Sequence, residues 1–189
     1  LGQVLPMAKL LQSPFTLQKT FIAKIRQEAK NARAGKQAWI KARMNSLSDA
    51  SIIKELYAAS QAGVQIELVI RGICCLQPGV EGVSGNNKVR NILGRYLEHS
   101  RVYCFCSDGA ERVYIASADW MPRNLYRRAE VAVPIENPDL KKRVIEEAIE
   151  YYLRDNTQSW IMQTDGEYIR QTPNTEEEPY SAQERLQSQ

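Results

Sequence analysis

The feature that most constrains this chain is a strand–helix–strand unit written across residues 39–70. Trp39-Ile40-Lys41-Ala42-Arg43-Met44 reads as a strand. Asp49 then offers a helix cap, and Ile52, Ile53, Leu56, Ala59 and Ala62 recur at helical spacing before Gly63 stops the helix. Val64 to Ile70 follows as a second strand rich in β-branched residues. Strand, helix and strand in this order form a right-handed parallel crossover, so the fold class is α/β.

The flanking segments extend the pattern. Ser13-Pro14-Phe15-Thr16 opens a helix with Thr16 as its cap, carrying Leu17, Phe21, Ile25, Ala29 and Ala32 to a stop at Gly35. Gly72 to about Lys88 reads as a long glycine-rich loop, and loops of that length are more often functional than idle. Val102–Cys106 and Arg112–Ser117 read as a hairpin around Ser107-Asp108-Gly109-Ala110, and Ala129–Ile135 as another strand. Asn137 or Asp139 caps a helix bearing Leu140, Val144, Ala148, Ile149 and Leu153 on one face. Trp160 to Ile169 forms a closing hairpin that turns at Asp165-Gly166. The organisation expected is a lead-in over 1–12, one domain over 13–171, and a polar tail over 172–189, with Glu176-Glu177-Glu178, that reads as disordered. No run of about 18 apolar residues predicts a membrane span. No charged-then-apolar leader opens the chain, and position 1 is Leu, so a piece of a longer protein is expected.

The net charge of +3 speaks against a general nucleic-acid binder, but its distribution is uneven. From Arg71 to Arg128, eight arginines and Lys88 face five acids. Arginine's planar fork suits phosphate, whereas the plainer account is a solvated basic face. Cys74, Cys75, Cys104 and Cys106 lack zinc-site spacing and read as small buried hydrophobes in a reducing cytoplasm.

Two residues stand out as chemistry. Arg71 ends the apolar Val64–Ile70 strand, and ligands of open α/β sheets sit beyond the carboxyl ends of strands. It can hold an anion there, or pair with a structural carboxylate. His99 is the only histidine, so any imidazole chemistry must use it. Imidazole can accept a phosphoryl group or donate a proton to a leaving oxygen near neutral pH, and a satisfied polar histidine is the plainer account. Arg101 makes H-x-R, and Ile115-Ala116-Ser117-Ala118-Asp119 lies downstream. This resembles half of a phospholipase-D-like site, in which H-x-K precedes G-S-x-N, with Arg101, Ala116 and Asp119 as departures. Asn45 can line the same edge, while Ser48 and Asp49 are explained as helix caps. Trp120 to Arg128 mixes aromatic and basic residues, fitting either a base-stacking surface or a turn with one packed tryptophan.

Longer strings then come into view. Ser13-Pro14-Phe15, Met44-Asn45-Ser46-Leu47 and Ile70-Arg71-Gly72-Ile73-Cys74-Cys75-Leu76 resemble the C-terminal region of class-1 polyphosphate kinases. So do Gly94-Arg95-Tyr96-Leu97-Glu98-His99-Ser100-Arg101 and Tyr114-Ile115-Ala116-Ser117-Ala118-Asp119-Trp120-Met121-Pro122-Arg123-Asn124-Leu125. The resemblance runs from about Leu10 to about Arg170.

It implies a phospholipase-D-like mixed sheet flanked by helices, the fourth domain of an enzyme that moves the ATP γ-phosphate reversibly onto inorganic polyphosphate through a phosphohistidine. That phosphorylated histidine lies on the third domain, outside this chain. His99 matches the family's second active-site histidine, a catalytic residue facing the nucleotide phosphates, and Arg71 an arginine that binds them. No metal ligand is implied here, since the family's Mg2+ is held upstream. ATP or ADP, polyphosphate, the upstream domains and further copies of the chain are the implied partners. The implied location is the cytoplasm, with a peripheral place at the membrane. The isolated chain is expected to hold half a site and to be inactive. Two other readings stay open at this level: a phospholipase-D-type phosphodiesterase or nuclease acting as a dimer, and a non-catalytic polyanion-binding module.

Overall fold

The computed structural model describes residues 9–189. Its elements are β1 (Leu11–Ser13), α1 (Leu17–Arg33), β2 (Trp39–Met44), α2 (Ala50–Gln61), β3 (Gln65–Ile70), β4 (Asn87–Ile92), β5 (Val102–Phe105), β6 (Arg112–Ala116), β7 (Glu130–Ile135), α3 (Pro138–Ile145), α4 (Tyr151–Arg154), β8 (Ser159–Met162), β9 (Tyr168–Arg170) and α5 (Ala182–Gln187). A π-helical stretch, Glu146–Glu150, joins α3 to α4. The strands form one mixed sheet in the order β1-β7-β6-β5-β2-β3-β4-β8-β9.

The crossover at 39–70 forms as expected. Asp49 Oδ1 accepts the amide of Ile52 at 3.0 Å, and Gly63 closes the helix at φ +99°, a left-handed conformation that glycine adopts without a Cβ clash. β2 and β3 pair in parallel from Trp39↔Gln65 to Met44↔Ile70. Strand alternation then sorts the side chains. Ile40, Ala42, Met44, Ile66, Leu68 and Ile70 turn towards Leu17, Phe21 and Ile25 of α1 and Ile52 and Leu56 of α2. Phe21 is the hub of that layer, packing against Tyr103, Phe105, Tyr114 and Trp120. The opposite face of the sheet buries Val69, Ile92, Val102, Cys104 and Val113 beneath the segment from α3 to α4 and beneath α5.

Several expectations are corrected. The long loop ends in a strand: β4 pairs in parallel with β3, from Ile66↔Asn87 to Val69↔Arg90. Asn87-Lys88-Val89-Arg90 shows little apolar patterning, and the pairing with β3 and β8 supplies the order instead. The lead-in lies outside the described residues over 1–8, and its last part, β1, pairs with β7 at the sheet edge. Thr16 stands at the start of α1, but its hydroxyl accepts the Gln12 amide at 2.9 Å and does not cap the helix. Leu140 is exposed, because the π-helical stretch shifts the phase between α3 and the buried Ile149.

The tail expected to be disordered carries α5. Ser181 caps it by accepting from the Glu184 amide, Asp155 accepts the Ala182 amide at 2.8 Å, and Ala182 is fully buried. A short polar helix forms here because buried partners satisfy its first turn. Cys75 is also corrected: it is exposed, while Cys104 and Cys106 are buried and Cys74 half-buried. Burial pushes the Cys74 thiol up to about 11 and the Cys104 thiol up to about 12. At pH 8 iodoacetamide should therefore modify Cys75 first, with Cys74 and Cys104 reacting only after denaturation. Mass spectrometry of the native and unfolded protein checks this, and equal labelling of Cys74 and Cys75 in the native state would contradict it.

Candidate functional site

The topology gathers one edge. β2, β3 and β4 run parallel, so Asn45, Arg71 and the loop after Ile92 leave the sheet on the same side. β5 is antiparallel to β2 with Val102 opposite Arg43, which brings Arg101 to that edge. β6 runs back against β5 and delivers Ser117–Trp120 there.

Asp119 is the centre of this edge. It is 3% exposed, and its Oδ1 accepts the backbone amide of Asn45 at 2.8 Å and that of Ser46 at 3.4 Å. The Arg101 guanidinium bridges both carboxylate oxygens, Nε to Oδ1 at 3.1 Å and Nη2 to Oδ2 at 3.3 Å. The Asn45 amide nitrogen donates to the same carboxylate at 3.2 and 3.4 Å. The Asn45 oxygen accepts from Arg71 Nε at 3.0 Å and from Nη2 at 2.9 Å. A continuous polar chain thus runs Arg71–Asn45–Asp119–Arg101.

The segment that carries Asp119 is fixed from below. Trp120 is fully buried and stacks on Tyr103, with centroids 4.7 Å apart at 15°. The Tyr103 hydroxyl donates to the Ala118 carbonyl at 2.6 Å, and burial raises that phenol well above its ordinary range. Ser48 and Asp49 amides donate to the Trp120 carbonyl. Trp120 is therefore a packed core residue and is not available to stack on a base, while Tyr126, Arg123, Arg127 and Arg128 of the same segment are exposed. Arg71 is fixed from the other side: the Gly72 amide donates to the Asn45 carbonyl at 2.7 Å. A Cβ on Gly72 would lie 3.1 Å from that carbonyl oxygen, so a larger residue fits there only if the backbone gives by a few tenths of an ångström.

Among the described residues no carboxylate lies within ion-pair distance of Arg71. Its partner is a neutral amide, and the structural ion pair considered from sequence does not form. The edge holds two guanidinium charges against one carboxylate, an imbalance suited to an anion.

His99 lies in the loop between β4 and β5 and is exposed. Its ring has no hydrogen-bond partner among the described residues. It lines an open depression of about 510 Å³ with Arg43, Leu97, Glu98, Ser100 and Tyr152. Its carbonyl accepts from Arg101 Nη1 at 3.4 Å, so its backbone joins the polar chain that ends at Arg71. The structure brings Arg71 and His99 to one edge and gives their side chains no shared contact.

Beneath His99 sits a cluster that sequence reasoning missed. Glu98 accepts from the Arg43 guanidinium and from the Tyr152 hydroxyl, the latter at 3.2 Å. Arg43 is 4% exposed, lies over the Tyr152 ring with its Cζ 3.7 Å from the centroid, and has its pKa lowered by desolvation. The signal was present in β2: Lys41 and Arg43 alternate with Ile40, Ala42 and Met44, which marks two cations on the face opposite the main core.

Residues 10–183 match the family described as Polyphosphate kinase C-terminal domain 2. The chain belongs to the polyphosphate kinase family. It is 56% identical over 173 residues to a polyphosphate kinase of Neisseria gonorrhoeae, covering 92% of this chain and 25% of that protein. It is 50% identical over 186 residues to one from Pseudomonas aeruginosa, covering 98% of this chain and 27% of that protein. The crystal structure of polyphosphate kinase from Porphyromonas gingivalis superposes with a TM-score of 0.93 at 38% identity, over 98% of this chain and 28% of that one. Nuc from Salmonella typhimurium, a phospholipase D family member, shares the fold with a TM-score of 0.52 at 18% identity, over 73% of this chain and 88% of Nuc. This chain thus spans about a quarter of the length of the polyphosphate kinases it matches.

Removing the central carboxylate tests the edge. Asp119→Ala strands Arg101 and the Asn45 amides, and should lower unfolding stability by about 3 kcal/mol. Asp119→Asn should cost less, since it keeps the shape and an acceptor. Urea denaturation of both variants measures this, and a neutral Asp119→Ala would show that Asp119 does not organise the edge.

Proposed function

We propose that this chain is the C-terminal part of an ATP–polyphosphate phosphotransferase. The reaction is the reversible transfer of the ATP γ-phosphate to inorganic polyphosphate through a phosphohistidine carried on another part of the polypeptide. Family membership supports the reading, and the observation that carries it is Arg71: a guanidinium at a strand's carboxyl end, held by Asn45 and left without a protein carboxylate. Arg71 uses Nε and Nη2 on Asn45, so its remaining N–H groups serve the nucleotide phosphates. In phosphoryl transfer the main task is to neutralise charge on the non-bridging oxygens, which suits this edge. His99 acts as a general acid or phosphate ligand, its ring open to substrate.

Magnesium does not fit the edge. Asp119 already accepts from Arg101, Asn45 and Ser46, and among the described residues no group of three His, Cys, Asp or Glu side chains is placed to hold a metal. In this reading the ion's ligands and the phosphorylated histidine belong to upstream parts of the polypeptide. Further copies of the chain, and a cytoplasmic location peripheral to the membrane, complete the reading. No helix among the described residues is long and apolar enough to cross a membrane.

In the full-length enzyme, His99→Ala should reduce polyphosphate synthesis by about 100-fold or more. Near-normal synthesis would remove His99 from the mechanism. Arg71→Lys keeps the charge but loses the fork, and should weaken ATP binding about tenfold. Unchanged ATP affinity by calorimetry would defeat the bidentate role. If the isolated chain instead hydrolyses a phosphodiester, the phospholipase-D-type reading replaces this one.

A further inference from the structure

We infer that helix α5 is a latch that positions the loop carrying His99, with Gln183 and Glu98 as its positioning residues. The catalytic part of this inference rests on the function proposed above; the latch itself rests on geometry.

The loop from Leu93 to Ser100 has little apolar anchorage. Leu97 is 72% exposed, Leu93 and Tyr96 are also exposed, and so is His99. A segment with so few buried contacts opens locally unless polar contacts hold it. Those contacts come from the tail. Gln183 is 5% exposed, its Oε1 accepts the Tyr96 amide at 3.0 Å, and its Nε2 donates to the Tyr96 carbonyl at 2.8 Å. One side-chain amide thereby satisfies both backbone groups of a loop residue, much as a neighbouring strand would. The same Nε2 donates to Glu98 Oε1 at 2.5 Å. Gln187 adds a hydrogen bond to the Tyr96 hydroxyl. Gly94 leaves room for this docking, since a Cβ there would overlap the Gln158 and Gln183 amides.

The latch is itself anchored in the domain. Asp155 is fully buried and accepts the amides of Ala182, Thr157 and Gln158. Asn156 exchanges backbone and side-chain hydrogen bonds with Tyr180. Glu98, the residue before His99, is gripped by Gln183, Arg43 and Tyr152. The His99 carbonyl is held on the other side by Arg101. The backbone bearing the imidazole is therefore pinned from both directions, while the ring stays free for substrate.

The test uses the full-length enzyme. Gln183→Ala is expected to speed hydrogen exchange at the Tyr96 amide, which donates to Gln183, about tenfold or more, with the amides of β2 and β3 unchanged. It is expected to lower kcat for polyphosphate synthesis about tenfold and to add nothing to the loss caused by His99→Ala. Glu184→Ala, at the exposed neighbouring position, should change neither readout. Unchanged exchange at the Tyr96 amide would overturn the latch. So would a full further loss in the His99→Ala background, which would mark Gln183 as a support for the domain at large. Faster exchange in Gln183→Ala combined with near-normal synthesis by His99→Ala would uphold the latch and overturn the role of His99, so the two failures are distinguishable.

Discussion

The carboxylate of Asp119 is the interaction on which the site depends. A buried, ionised carboxylate is costly unless partners replace its lost hydration. Here the replacements are the Arg101 fork from the start of β5 and, from the Asn45-Ser46 turn after β2, two backbone amides and an asparagine side chain. Meeting the needs of one charge therefore brings the ends of β2 and β6 and the start of β5 to a single point. Asn45 passes the constraint on, since donating to Asp119 with its nitrogen leaves its oxygen to orient Arg71.

A second arrangement of the same kind lies on the other face of the sheet. Arg43, Tyr152 and Gln183 converge on Glu98. The two clusters differ in what they leave over. Around Asp119 the charges sum to an excess of cation at the sheet edge, whereas Arg43 is matched by Glu98 and faces the Tyr152 ring. The first is suited to meet an anion and the second to hold backbone in place. His99 sits between them, attached to each through the main chain and free at its ring.

Much of the fold was legible because it follows from local rules. Asp49 and Asn137 cap their helices, Gly63 ends one, and the hairpins at 107–110 and 165–166 turn where small polar residues and glycine allow it. What was missed had weak local signals. β4 is ordered by its neighbours on both sides, and α5 by partners some 27 residues or more away along the chain, such as Asp155 for Ala182. Ser181 and Glu184 mark a local helix start for α5. The partners that hold it and β4 in place, however, lie outside a window of ten residues, which is all that periodicity can read. Arg71, His99, Asn45, Arg101 and Asp119 could each be singled out as chemistry-bearing types, but not the order in which they touch.

By itself the sequence determined the α/β class, the parallel crossover, the inward faces of α1 and α2, and the family, since those depend on spacing and on uncommon strings. Only the tertiary structure decided that Arg71 pairs with an amide and not an acid, that Asp119 joins two arginines, and that the polar tail returns to hold the His99 loop. The physical reason is range. Caps, turns and apolar periodicity act between near neighbours, whereas the partner of a buried charge is settled only when the whole sheet has closed around it.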